Sequence, residues 1–193
     1  MNIVGLDISF TNTGFVHCTW GAVGGISLIS CAVVETKKNA TQEVVTNTVD
    51  ILRRAEKIHR EVQKLVADAN PDLFMVESMS WPRNASSAIK MAAAWGALSP
   101  ILGTVPMIGV APMALKLAAC RDKSGSKEDV QRGILAQISS PDLVREVVET
   151  HVPRRALREH CWDALGAVLA GLRTEKFGLL RSGWIQAQAS LAR

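Results

Sequence analysis

Three β-rich stretches, Asn2–Asp7, Phe15–Trp20 and Ile26–Thr36, precede an abrupt change of hydrophobic period, and this order constrains the fold more than any other feature of the chain. The breaks between them, a Thr11-Asn12-Thr13-Gly14 turn and the Gly21–Gly25 segment, are short, which predicts an antiparallel meander. From Glu43 to Ala69 the apolar residues Val44, Ile51, Ala55, Ile58, Val62, Leu65 and Ala69 recur at helical steps, with Thr48 at the one polar place in the row. Arg53, Arg54, Lys57, Arg60 and Lys64 fall off that stripe, so a long amphipathic helix with a basic outer face is expected. Asn70-Pro71-Asp72 stops it, and Leu73–Val76 reads as a buried strand ending at Glu77. A helix rich in small residues follows from Asn84 to Leu102, then a strand from Met107 to Val110 and a helix from Pro112 to Cys120. After a polar loop, Ser126 caps a helix from Lys127 to Ile138; Leu157–Leu172 is the final helix, and the tail from Thr174, with Trp184, has weak helical character. Antiparallel strands followed by strand–helix alternation predict an α/β fold: a five-stranded mixed sheet, three antiparallel strands then parallel ones, with helices on both faces. Sites in such sheets form outside the carboxyl ends of the strands.

With 193 residues, 48% of them hydrophobic and 21% charged, the chain supports one sizeable core and leaves little room for a separate cofactor domain. No basic region precedes an apolar run at the N-terminus, and the most apolar stretch, Met91–Val110, is broken by Gly96, Pro100, Gly103 and Pro106. A soluble cytoplasmic protein with no membrane partner is expected. Cys18, Cys31, Cys120 and Cys161 form no CxxC pair, which argues for reduced thiols and against a zinc site. The formal net charge of +4 is regional: Lys37–Lys64 holds seven basic residues against four acidic, and Lys116–Arg132 five against three. A third cluster, Arg154, Arg155 and Arg158, precedes His160. Such patches suit a polyanion and also occur on ordinary solvated helices.

Asp7 and Glu77 each end an apolar strand, where an unpaired carboxylate is costly to bury and normally finds a cation. If the two strands are parallel neighbours, the carboxylates converge. His160 and Asp163, three residues apart, share one helix face. Carboxylates grouped with one imidazole suit Mg²⁺ or Mn²⁺, and a pair of such ions would clamp an in-line phosphoryl displacement, that is, phosphodiester hydrolysis. Plainer readings stay open at this point: Asp7 capping the following turn, Glu77 pairing with Arg83, and His160 with Asp163 as a surface pair.

The sequence resembles the RuvC-type Holliday junction resolvases of the RNase H-like superfamily from about Asn2 to Leu172. The likeness lies in Val4-Gly5-Leu6-Asp7 with Thr13-Gly14-Phe15; Phe74-Met75-Val76-Glu77; Asn84-Ala85-Ser86-Ser87-Ala88 with Trp95-Gly96; Val110-Ala111-Pro112 with Lys116; Gly125-Ser126-Lys127-Glu128-Asp129; and His160-Cys161-Trp162-Asp163-Ala164. The resemblance implies an RNase H-like resolvase domain over 1–174 and a C-terminal tail over 175–193. It implies a metal-dependent nuclease that resolves four-way junctions into 5′-phosphate and 3′-hydroxyl ends, with metal ligands at Asp7, Glu77, His160 and Asp163, two Mg²⁺ or Mn²⁺ ions, and no small-molecule cofactor. Lys116 and Lys127 match basic positions near the active site, Lys127 with a catalytic role. DNA contacts are expected from these two lysines, from Arg83, Lys90 and the Arg154, Arg155, Arg158 group, and from Trp81 or Met79 as a side chain that stacks at the branch. The helix from Asn84 resembles the element through which the family forms homodimers; tight packing inside a monomer is the alternative. Asp7-Ile8-Ser9 stands where cellular members usually have Asp-Pro-Gly, so the resemblance implies a divergent member, acting on nucleoid DNA and of either cellular or viral origin. Three competing functions remain: a broader branched-DNA nuclease; a protein that grips branched DNA without cutting, which would need a damaged metal site where all four ligand positions hold competent residues; and an actin-like or sugar-kinase-like ATP-binding domain, which normally needs a duplicated domain that 193 residues do not supply.

Overall fold

The computed structural model describes residues 1–21, 25–38, 47–79 and 84–191. Five strands, β1 (Asn2–Asp7), β2 (Asn12–Trp20), β3 (Ile26–Glu35), β4 (Leu73–Glu77) and β5 (Met107–Val110), form one sheet in the order β3-β2-β1-β4-β5. β2 is antiparallel to both β1 and β3, whereas β1, β4 and β5 are parallel neighbours, so the expected mixed sheet is present. The helices are α1 (Asn47–Ala69), α2 (Ala85–Leu102), α3 (Pro112–Cys120), α4 (Lys127–Leu135), α5 (Pro141–His151), α6 (Arg158–Gly171) and α7 (Glu175–Leu191), with a 3₁₀ turn at Arg155–Leu157 before α6.

The alternation of side chains along each strand builds two cores. Ile3, Val16, Leu73, Met75 and Ile108 pack under α3 to α7, while Val4, Leu6, Phe74 and Val76 pack under α1 and α2. By the same period, Asp7 and Glu77 fall on the α6 face. α6 is buried on every side from Cys161 to Gly171, as a helix apolar all round requires. It reaches that depth because two strand residues lack side chains. A Cβ on Gly5 would stand 2.6 Å from the Ala164 carbonyl oxygen, and one on Gly14 would stand 2.1 Å from that of His160. The sheet thus admits the α6 backbone where His160 and Asp163 must arrive.

Several expectations need correction. β2 begins at Asn12, inside the expected turn, because Ser9 closes the chain reversal earlier: its Oγ accepts from the Thr11 and Asn12 amides (3.3 and 3.2 Å), and Thr13 Oγ1 donates to the Ser9 carbonyl (2.7 Å). Asp7 does not appear in those bonds, so the capping role considered for it belongs to Ser9. α4 ends at Leu135, and α5 was not anticipated; it buries only Val144 and Val148, too short a stripe to stand out. The tail is a full helix, α7, anchored by buried Phe177 and by Trp184, whose ring meets Trp20 edge-on at 6.3 Å. In α1, whose expected first turn at 43–46 lies outside the described residues, the buried row runs Asp50, Arg54, Ile58, Val62. Arg54 is therefore not on the outer face: it is 9% exposed and stacks over the Phe10 ring at 4.2 Å.

Candidate active site

The parallel register of β1 and β4 pairs Leu6 with Val76, which sets the next residues, Asp7 and Glu77, side by side at the carboxyl lip of the sheet. α6 crosses above and adds Asp163, 8% exposed. Carboxylate oxygens of Asp7, Glu77 and Asp163 lie within 4.8 Å of one another. Around them stand two basic groups. His160 Nδ1 is 2.9 Å from Asp7 Oδ2, and since an ionised carboxylate only accepts, Nδ1 carries the hydrogen. Lys127 Nζ donates to Asp163 Oδ2 and lies 3.9 Å from Glu159.

Local sequence explains how Lys127 gets there. Ser126 and Asp129 form a reciprocal capping box that fixes the start of α4 at Lys127. A cation in the first turn opposes the helix dipole, so Asp163 and Glu159 are what hold the ammonium in place. Glu159, one residue before His160, was not singled out in the sequence, although a carboxylate one helical turn before Asp163 is a readable signal.

The electrostatics are those of a cluster with too much negative charge. Burial pushes the Glu77 carboxyl up to about 7, and the charges of Asp7 and Asp163 add to the rise against the pull of Lys127. Burial also raises Asp163, with Lys127 opposing. Burial works against a charged His160, but the hydrogen bond to Asp7 and the nearby carboxylates outweigh it and raise its pKa. Lys127 follows the same pattern: desolvation is outweighed by Asp163, Glu159 and Asp7, and its pKa rises. Three converging carboxylates that destabilise one another are relieved by a hard divalent cation, and an all-oxygen donor set with one imidazole alongside is the chemistry Mg²⁺ or Mn²⁺ prefers.

The other expected site residues are distributed as follows. Arg155 and Arg158, with Lys127, Glu159, Trp162 and Asp163, line a cleft of about 800 Å³ that opens beside the carboxylates. Arg158 is engaged structurally, bonding the Val152 carbonyl at 2.9 Å and Glu149 at 2.9 Å. Arg154 is ion-paired with Glu35. Lys116 sits half-buried on α3, where its charge acts on Asp122, and it forms no ion pair with the three carboxylates. Lys90 lies half-buried on α2, and Met79, just past β4, is 41% exposed. Trp81 and Arg83 lie outside the described residues.

Residues 3–140 match the family described as crossover junction endodeoxyribonuclease RuvC. A protein of that name from Natranaerobius thermophilus is 26% identical over 150 residues, which span 75% of this chain and 84% of its own. Among solved structures, T. thermophilus RuvC in complex with Holliday junction substrate aligns with a TM-score of 0.65 at 25% identity, covering 88% of this chain and 92% of its own. The yeast mitochondrial Holliday junction resolvase shares the fold, with a TM-score of 0.58 at 10% identity and coverage of 94% and 85%. With more than half its length matched and the acidic cluster at the sheet lip, the chain belongs to the RuvC family of crossover junction endodeoxyribonucleases.

Proposed function

We propose that the chain resolves four-way DNA junctions by metal-dependent phosphodiester hydrolysis, leaving 5′-phosphate and 3′-hydroxyl ends. The observation that carries this reading is the meeting of Asp7, Glu77 and Asp163 within 4.8 Å at one lip of the sheet. These three, with His160 beside them, would hold two Mg²⁺ or Mn²⁺ ions. When bound, the ions supply charge neutralisation at the scissile phosphate and a water acidified enough to attack it.

The chain's own residues do the rest. Asp7 holds the His160 ring through Nδ1–H, so in the neutral ring Nε2 is the acceptor nitrogen, available either to a cation or to a proton of the attacking water. Lys127 is held by Asp163 on the rim of the cluster, where an ammonium stabilises charge developing on the phosphoryl oxygens. Because Glu77 holds its proton to about 7, cation binding at neutral pH releases protons and is favoured by rising pH. Arg155 and the cleft beside α6 offer a path for one strand of the junction.

Paired nicks on opposite strands call for two sites, and a homodimer built on α2 would supply them. Exposed Ile89 and Gly96, around which an added Cβ would meet nothing within 4 Å, support an outer α2 face open to close approach. We assign the nuclease domain to 1–174, with 175–193 appended to it, and place its work on nucleoid DNA. Among the described residues no helix is long and apolar enough to cross a membrane.

The test is incubation of a labelled immobile four-way junction and a matched linear duplex with Mg²⁺ or Mn²⁺, followed by mapping of nicks. Symmetric cuts across the branch are expected. Equal nicking of the linear duplex would replace this reading with a broader nuclease.

A further inference from the structure

A second charged site lies on the same lip of the sheet, two strands away from the carboxylates. The register pairs Asp7 with Gly14 and Asn12 with Glu35, so the end of β3 faces the same way as the end of β1. At strand spacings of about 4.8 Å the two strand ends are on the order of 10 Å apart along the sheet, and the pocket is walled by α1 whereas the carboxylates lie under α6, across the sheet. There the chain leaves β3 beside α1, and an open cavity of about 410 Å³ is lined by Glu35, Lys37, Lys38, Arg53, Arg54 and Lys57.

Its charge is strongly positive after internal pairing. Glu35 is taken by Arg154, and Arg53 and Arg54 share Asp50, at 2.8 and 3.7 Å. Lys37, Lys38 and Lys57 are exposed, and none of them is ion-paired among the described residues. The buried Arg54 forms the floor: its Nε donates to Thr36 Oγ1 at 2.9 Å, and its guanidinium covers the Phe10 ring. That floor is tied to the turn that follows Asp7, since Thr36 Oγ1 donates to the Phe10 carbonyl (2.5 Å) and the Thr36 amide to that of Thr11 (2.8 Å).

We infer that this β3–α1 pocket is a second phosphate-binding site, one that grips the backbone of a duplex arm of the junction away from the bond cut at the carboxylates. The inference rests on the junction-cleaving reading. The lining offers cations without an open aromatic face, because Phe10 is covered, and this matches a sugar–phosphate backbone rather than a base or nucleoside. Exposed lysines over a buried guanidinium suit a ligand that is held by charge and not read by sequence.

The experiment measures junction affinity as a function of salt, with Ca²⁺ replacing Mg²⁺ to prevent cutting, for the full chain and for Lys37→Gln/Lys38→Gln/Lys57→Gln. Neutralising each phosphate contributes about 0.9 to the slope of log K against log salt. The triple variant is expected to lose about 2 to 3 from that slope and to bind at least about 10-fold more weakly near 0.15 M salt. Lys64→Gln, further along the same helix and already paired with Glu61 at 3.4 Å, should leave the slope unchanged. Methylphosphonates stepped along the arm outside the cut should weaken the unmodified protein at the position the pocket grips and add nothing there to the triple variant. A wild-type slope in the triple variant overturns the pocket while leaving junction cleavage standing. Failure of the unmodified protein to bind or cut the junction overturns the functional reading, and this inference falls with it.

Discussion

The carboxylate cluster and the β3–α1 pocket stand on one lip of one sheet, and they solve opposite problems. At the cluster, α6 drives Asp163 onto Asp7 and Glu77 in a half-buried space, and two basic neighbours are too few to balance it. At the pocket, one carboxylate serves two arginines, and exposed lysines remain over. The first arrangement attracts cations and the second anions. The two lysines differ in their partners: Lys127 is held by Asp163 beside the carboxylates, whereas Lys57 has no ion-pair partner among the described residues.

Separating the two regions by mutation should show the largest effect first. Asp7→Asn removes the carboxylate nearest both Glu77 and His160, and single-turnover cleavage should drop by roughly 10³-fold or more while junction affinity stays within a few-fold. Comparable losses in both would mean that the cluster and the binding surface are one unit. Lys127→Ala should lower the cleavage rate roughly 10²-fold, the scale of losing one preorganised charge at the transition state, and unchanged cleavage would move Lys127 out of the reaction.

Gly14→Ala probes how tightly the site depends on α6. The new methyl has no room beside the His160 carbonyl, so α6 must shift, with a loss of about 2–4 kcal/mol in denaturant unfolding and a marked fall in cleavage. The salt slope of binding, set largely at β3 and α1, should barely move.

Smaller effects appear in the pH dependence of the metal-free protein. Glu77, Asp163 and His160 all hold protons more firmly folded than unfolded. The folded state therefore binds the extra protons, and stability present at acid pH is lost as pH rises, for Glu77 between its ordinary 4.5 and about 7. In EDTA, Tm should fall by a few degrees across that window, Glu77→Gln should flatten the fall, and Mn²⁺ should restore Tm most above pH 7. A rising Tm over the same window would contradict the charge excess at the cluster. Smallest of all, Arg54→Lys keeps the charge but loses the fork to Thr36 and the stacking on Phe10, and thermal unfolding should register about 1–2 kcal/mol.

Much of this geometry is legible in the sequence because it follows from local periods. Asn2–Asp7 and Leu73–Glu77 are apolar runs with a carboxylate at the end, and alternation along a strand sends Asp7 and Glu77 to one face once the strands are adjacent. His160 and Asp163 are linked by helical spacing alone. What escaped depends on contacts across the chain. Arg54 looks like a surface residue until Phe10 and Thr36, 44 and 18 positions away, come to meet it. The buried row in α1 consequently passes through Asp50 and Arg54, and no apolar pattern marks it. α5 has only two buried positions, although Pro141 in its first turn was a usable start signal. Lys127 joins the site, but Lys116, equally basic and on the neighbouring helix, does not pair with the carboxylates; the capping box that aims Lys127 makes the difference.

Whether Asp7, Glu77 and Asp163 form one pocket for divalent cations is tested, without relying on turnover, by an anomalous difference map from crystals soaked in Mn²⁺. Density for manganese among the oxygens of these three residues, absent in Asp7→Asn crystals, is the predicted result. Manganese bound only elsewhere, or an empty cluster at millimolar Mn²⁺, would contradict it.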